Sequence, residues 1–277
     1  MNQISYEGSQ IPNLIILGEE NEQTLLFIGG WGVPLEAYLE RIQKLASNFR
    51  VVAFGLSGFG NIAPLPISKS NVKGHTEFFM EKILPRLDVP KSTILIGHST
   101  GAAVAVYLAE HYPERFRRLV LVSPIGNPDP IKRSLMRMIR FADVKEIAKY
   151  NISSLNLLSL SRLLSNLMLG ANAKSIDLRV TLKRLVERGH KINMILATDD
   201  KITPPGDLLT LQGIEIKNVI GGHYWLKNNS EQFLAYMMQF KTLPVSIDIA
   251  KSGFGKFALW ARCRSWFYRS TTRLFQK

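Results

Sequence analysis

A single cysteine, Cys263, stands among 277 residues, so no internal disulfide can cross-link the fold, in agreement with a reducing compartment. No window approaches the ~18 uncharged apolar residues of a spanning helix. The first residues, Met1-Asn2-Gln3-Ile4-Ser5, carry neither a basic leader nor an apolar stretch of signal length. These deficits predict a cytoplasmic protein. Acidic residues are also short, 22 Asp and Glu against 35 Lys and Arg, and the shortage is local. Residues 126–190 hold 12 basic and 5 acidic side chains, residues 243–277 hold 7 and 1, and the remainder holds 16 of each sign. The net charge of +13 therefore belongs to those two stretches. They suit an acidic partner, whether anionic lipid, an acidic protein or nucleic acid, or they are solvated helix faces. Finger, RNP-like and helix-turn-helix signatures are missing, which ranks nucleic acid last. Metal clusters and dinucleotide fingerprints are missing too, since the glycines at 29, 30 and 32 precede no matching acidic ribose contact. No cofactor or metal is expected.

What is present is an alternation. Short apolar runs at 24–28, 50–56, 92–96, 119–123, 192–197 and 214–220 read as strands. Between them lie helical patterns: one opened by Pro34 and running to Leu45, one over 72–87, one beginning at Ala102, and one over 230–240. Near-continuous apolar strands separated by helices predict an α/β fold, a mostly parallel central sheet covered on both faces. Ligands of such sheets bind at the carboxyl ends of the strands.

One of those ends carries Gly97-His98-Ser99-Thr100-Gly101. The apolar run before it and the buried helical pattern after it match a nucleophile elbow, in which a serine is forced into a sharp turn. Gly97 and Gly101 leave room for strand and helix to pass closely, and the turn aims the first amides of the helix at whatever the serine attacks. A serine hydroxyl needs a base in hydrogen-bond reach and a third group to orient that base. Of the five histidines, only His223 falls in a loop directly after a late strand. His75, His111 and His190 occupy positions typical of surface histidines, and His98 reads as packing because neighbours at an elbow point to different sides. Asp199 and Asp200 follow the penultimate strand and are the acid candidates. The order serine, acid, histidine along the chain is the one this arrangement imposes.

With these marks, Gly29-Gly30-Trp31-Gly32, Gly58-Phe59-Gly60, the elbow, Asp199-Asp200-Lys201-Ile202-Thr203-Pro204 and Gly222-His223, the chain resembles the α/β-hydrolase superfamily over residues 10–242. The resemblance implies catalytic residues Ser99, Asp200 and His223, because the family's aspartate typically stands four residues before the proline. It also implies an oxyanion hole from the backbone N–H groups of Trp31 and Thr100. Two departures stand out: Gly29 where the family often has histidine, and Gly55 where it often has aspartate. Within the superfamily the oxyanion loop and layout are most similar to carboxylesterases of the pimeloyl-acyl-carrier-protein methyl ester type.

The resulting expectation is a serine esterase or thioesterase with a core of residues 1–124 and 190–242, a helical lid insertion over 125–189 and a basic amphipathic tail over 243–277. Helices are expected over 131–150, 155–169 and 173–188. The first carries Lys132, Arg133, Arg137, Arg140, Lys145 and Lys149, which suits a phosphate-bearing substrate or an acyl chain on an acidic carrier protein. In residues 253–277 a helical projection puts Leu259, Trp260, Cys263, Phe267 and Leu274 on one side and Arg262, Arg269 and Arg273 on another. That pattern suits peripheral association with an anionic membrane surface. Acyl transfer, rather than hydrolysis, is the alternative outcome of the same chemistry.

Overall fold

The computed structural model describes residues 14–59, 63–126, 160–204 and 206–241. The predicted helix over 131–150, with its six cations, and the tail over 243–277 lie outside the described residues.

Among the described residues seven strands form one sheet: β1 (Leu14–Leu17), β2 (Thr24–Ile28), β3 (Arg50–Phe54), β4 (Ile94–His98), β5 (Arg118–Val122), β6 (Lys191–Ala197) and β7 (Ile214–Val219). Their order across the sheet is β1-β3-β2-β4-β5-β6-β7. From β3 to β7 every pairing is parallel. β1 alone runs antiparallel, pairing Leu14 with Phe54 and Leu17 with Val51 at the edge. Sequence reading did not anticipate β1, because four half-buried residues, Leu-Ile-Ile-Leu, show neither alternation nor the fully buried run of an inner strand.

Alternation along each inner strand divides the core in two. Leu26, Val52, Leu95, Leu119 and Met194 face one layer. Leu25, Val51, Ile96, Val120 and Ile195 face the other. The first layer is covered by α2 (Val72–Phe78), α3 (Thr100–His111), α4 (Leu160–Ser175) and α5 (Arg179–Glu187), the second by α1 (Leu39–Ala46), the short α6 (Trp225–Asn228) and α7 (Ser230–Met238). This is the α/β-hydrolase fold. α3 is buried on every side, from Thr100 through Val106 and again at Leu108 and Ala109. A helix so placed presents its N-terminus to the sheet's carboxyl edge without exposing a polar face.

Two helices differ from expectation. The 72–87 stretch is α-helical only to Phe78 and continues as a wider turn over Phe79–Ile83 and a tight one over Leu84–Arg86, where Pro85 prevents regular α-helix from continuing. The break predicted near residue 170 lies instead at 176–178, so α4 passes straight through Gly170. Both α4 and α5 contribute to the core, with Leu169 and Ala173 from the first and Leu182 and Leu185 from the second.

Candidate active site

Ser99 has φ +55° and ψ −119°, a strained backbone for a residue with a side chain. The surroundings hold it there. The Ser99 N–H donates to the Val122 carbonyl at 3.0 Å. A Cβ on Gly101 would lie 2.4 Å from the carbonyl oxygens of Ile28 and Gly29, and one on Gly97 would lie 2.4 Å from the Ala102 Cα. The elbow therefore exists only because strand and helix meet at glycine on both sides.

Three loops at the same edge of the sheet converge on this turn. After β7, His223 places Nε2 at 2.9 Å from Ser99 Oγ. After β6, Asp200 Oδ2 lies 2.9 Å from His223 Nδ1. All three residues are buried, with 6%, 4% and 5% of the surface of Ser99, His223 and Asp200 exposed. Asp199 is exposed and it is Asp200 that meets His223, so the geometry distinguishes the two acid candidates. Asp200 is itself held: Oδ1 accepts the N–H groups of Ile202 and Thr203 at 2.9 and 2.8 Å, and Oδ2 accepts the Thr203 hydroxyl at 2.9 Å. Burial alone would push its carboxyl up. The bonds from His223 and Thr203 outweigh burial and hold it below the ordinary range.

The loop after β2 reaches the elbow from the third side. A Cβ on Gly30 would stand 3.1 Å from Ser99 Cβ, so the Gly30–Trp31 backbone runs directly beside the serine. Among the described residues the Trp31 N–H has no acceptor. Thr100, the first residue of α3, has an N–H with no intrahelical carbonyl to donate to. These are the two residues whose amides the family resemblance implies for an oxyanion hole.

The histidines depart from the sequence expectation in two ways. His75 and His190 are buried, at 2% and 5% exposure, rather than on the surface. His98 is more than packing: its Nδ1 lies 2.8 Å from the Tyr38 hydroxyl and its Nε2 lies 3.1 Å from the His223 carbonyl. Sequence reasoning also missed Thr203, although it lies in the quoted acid loop. A hydroxyl three residues after an aspartate in a tight turn was the available signal.

An arrangement of buried carboxylate, imidazole and serine at these distances can transfer a proton from the hydroxyl. Among the described residues no group of three or more His, Cys, Asp or Glu is placed to hold a metal ion. No helix among them is long and apolar enough to cross a membrane.

A model of the alpha/beta hydrolase fold family matches residues 23–174. The chain belongs to that family. Similar curated proteins include the dihydrolipoyllysine-residue acetyltransferase component of the acetoin cleaving system of Cupriavidus necator, 32% identical over 111 residues, 39% of this chain and 28% of that one. A probable 1-acylglycerol-3-phosphate O-acyltransferase of Oryza sativa is 28% identical over 125 residues, 44% of this chain and 30% of that protein. The human (lyso)-N-acylphosphatidylethanolamine lipase is 28% identical over 124 residues, 43% and 36% of the respective chains. The chain thus spans about a third of the length of these curated relatives. Among solved structures, a hydrolase from Pseudomonas aeruginosa PA01 superposes with TM-score 0.62 at 20% identity, covering 84% of this chain and all of that one. MGS-M2, an alpha/beta hydrolase from a deep-sea metagenome library, gives 0.68 at 16% identity over 85% and 96% of the two chains. At these identities the likeness is one of fold.

Proposed function

We propose that the chain is a serine hydrolase acting on a carboxylic ester or thioester through an acyl-enzyme on Ser99. The observation that carries this reading is the unbroken line from Asp200 through His223 to Ser99, 2.9 Å at each step. In the first half-reaction His223 Nε2 takes the hydroxyl proton as Ser99 Oγ bonds to the acyl carbon. Asp200 keeps Nδ1 protonated and stabilises the imidazolium. The oxyanion is bound by the N–H groups of Trp31 and Thr100, each worth about 3 kcal/mol to the tetrahedral intermediate. The C–O or C–S bond then breaks, and the leaving alcohol or thiol takes the proton from His223. Water repeats the sequence on the acyl-enzyme, giving the acid and restoring the hydroxyl.

The Oryza sativa relative is named as a probable acyltransferase, which favours acyl transfer to an alcohol as a second reading of the same acyl-enzyme. The basic stretch at 126–190 supports an anionic acyl donor, with an acidic carrier protein as the preferred class. Its binding then weakens as salt is added. The basic tail supports a peripheral location at anionic membrane, and truncation after Leu243 removes liposome binding if the tail is the anchor.

The decisive experiment treats the full chain and Ser99→Ala with a fluorophosphonate probe, then with an ester and thioester panel graded by acyl length. Labelling and turnover that vanish in Ser99→Ala support the reading. An unchanged rate in that variant overturns it. Adding a small acceptor alcohol and measuring the ratio of new ester to free acid separates transfer from hydrolysis.

A further inference from the structure

Tyr38 ends the tight turn opened by Pro34, and His98 is the last residue of β4. Both are buried, at 2% and 1% exposure. The Tyr38 hydroxyl oxygen accepts the Gly30 N–H at 3.1 Å and stands 2.8 Å from His98 Nδ1. At the other end of the imidazole, Nε2 lies 3.1 Å from the His223 carbonyl. The proton positions follow from what each group can do. A carbonyl only accepts, so His98 carries its proton on Nε2. A neutral imidazole then has a bare Nδ1, which accepts from the Tyr38 O–H. Tyr38 uses its proton on His98 and a lone pair on Gly30. Every polar atom of the line is satisfied in one arrangement only.

The three residues that this line joins are those that flank the reaction. Gly30 precedes Trp31, so fixing the Gly30 N–H orients the residue from which the next peptide, bearing the Trp31 N–H, departs. His98 precedes Ser99. His223 is the base, held through its own main chain. The rings reinforce the hydrogen bonds, with centroids 5.7 Å apart between Tyr38 and His98 and 5.1 Å between His98 and His223. Burial, aided by the neighbouring His223, keeps His98 neutral by lowering it to about 3, so the line holds its proton arrangement through the working pH range.

We propose that Tyr38 and His98 are positioning residues for the Ser99 reaction, a joint brace that keeps the oxyanion-loop amide and the base in register with the serine. This rests on the hydrolase reading above. Neither residue touches substrate, so their effect is on the placement of groups that act in the transition state. A displacement of about 1 Å there costs on the order of 100-fold in rate.

The test uses the purified full chain and the variants Tyr38→Phe, His98→Gln, His98→Ala and the double variant Tyr38→Phe with His98→Gln. Each is assayed for kcat and KM on the best ester of the panel and for affinity toward an alkyl boronic acid, which forms a tetrahedral adduct with the serine. We expect Tyr38→Phe to lower kcat roughly 10- to 100-fold with KM within about twofold, and boronate affinity to fall in parallel. His98→Gln keeps an N–H for the His223 carbonyl and retains more activity than His98→Ala. The double variant is no worse than its poorer parent, because a brace cut once is already released. A folded Tyr38→Phe protein with wild-type kcat overturns the proposal, as do multiplicative effects in the double variant or His98→Gln matching His98→Ala. Should Tyr38→Phe fail to fold, the comparison of His98→Gln with His98→Ala decides alone. If the wild-type chain lacks Ser99-dependent turnover, the hydrolase reading fails first and this proposal with it, an outcome distinct from an active enzyme indifferent to Tyr38.

Discussion

The indole N–H of Trp31 donates to the main-chain carbonyl of Asn166 at 2.8 Å, across 135 positions of sequence. Asn166 also sends its side-chain amide to the Gly58 carbonyl at 3.2 Å, so one residue of α4 holds both the loop after β2 and the loop after β3. One turn further on, Gly170 lies against the same indole: a Cβ there would stand 2.9 Å from Trp31 Cζ2. α4 is thereby attached to the loop that carries a candidate oxyanion donor, and Gly170, which falls between the helices expected over 155–169 and 173–188, is a seat for the ring.

Gly170→Ala tests that attachment. In a helix interior alanine is favoured over glycine by about 1 kcal/mol, and here the added methyl meets a ring that its hydrogen bond prevents from moving freely. The two effects oppose each other in stability, so the melting temperature moves by only a few degrees. Activity has no such compensation and falls about 10-fold as Trp31 shifts. In a Trp31→Phe background the smaller ring accommodates the methyl, and the added loss from Gly170→Ala disappears. Steady-state kinetics of the four proteins checks this coupling.

Asp200→Asn separates charge from geometry. The asparagine oxygen can still accept the N–H groups of Ile202 and Thr203, which hold the turn. Its amide then faces His223 Nδ1 as a donor and forces the proton onto Nε2, the nitrogen that must accept from Ser99. The expected loss in kcat is on the order of 10³- to 10⁴-fold with the fold intact. Asp199→Asn, on an exposed residue, leaves kcat within about twofold by the same assay.

Much of this site is legible from local pattern. An apolar run ends shortly before each of Ser99, Asp200 and His223, with glycine at Gly97 and at Gly221 and Gly222 marking the first and last of these ends. Tyr38, His98 and Asn166 gave no such signal. Their partners lie 60, 125 and 135 positions away, and in sequence a tyrosine among apolar residues reads as any core aromatic. Periodicity says that a side chain is buried and not what its polar atom meets. The same limit explains His75, near a helix start, and His190, in a polar link, both expected at the surface and both buried by tertiary packing. β1 escaped because an edge strand of four residues has too little pattern to declare itself.

Buried histidines make the fold acid-sensitive. Burial lowers His75 to about 4 and His98 to about 3, against 6.5 for the free side chain, and lowers His190 as well. These groups are neutral when folded and bind protons more readily when unfolded. Stability is therefore full above pH ~6.5 and declines as pH falls toward the folded values, because the unfolded state takes up the protons. A fully buried histidine contributes a slope of at most about 1.4 kcal/mol per pH unit, so His75 and His98 together give roughly 2.5 kcal/mol per pH unit near pH ~5. Asp200, whose folded carboxyl is lowered, contributes stability above its unfolded value and loses it as pH falls further, steepening the acid end. Urea unfolding at pH 7, 6, 5 and 4.5 measures the slope. In His75→Leu, which replaces a buried imidazole whose Nδ1 has no partner among the described residues, the slope falls by about 1.2 kcal/mol per pH unit near pH ~5 while activity at neutral pH is kept. A slope unchanged in that variant would show that His75 finds solvent before the protein unfolds.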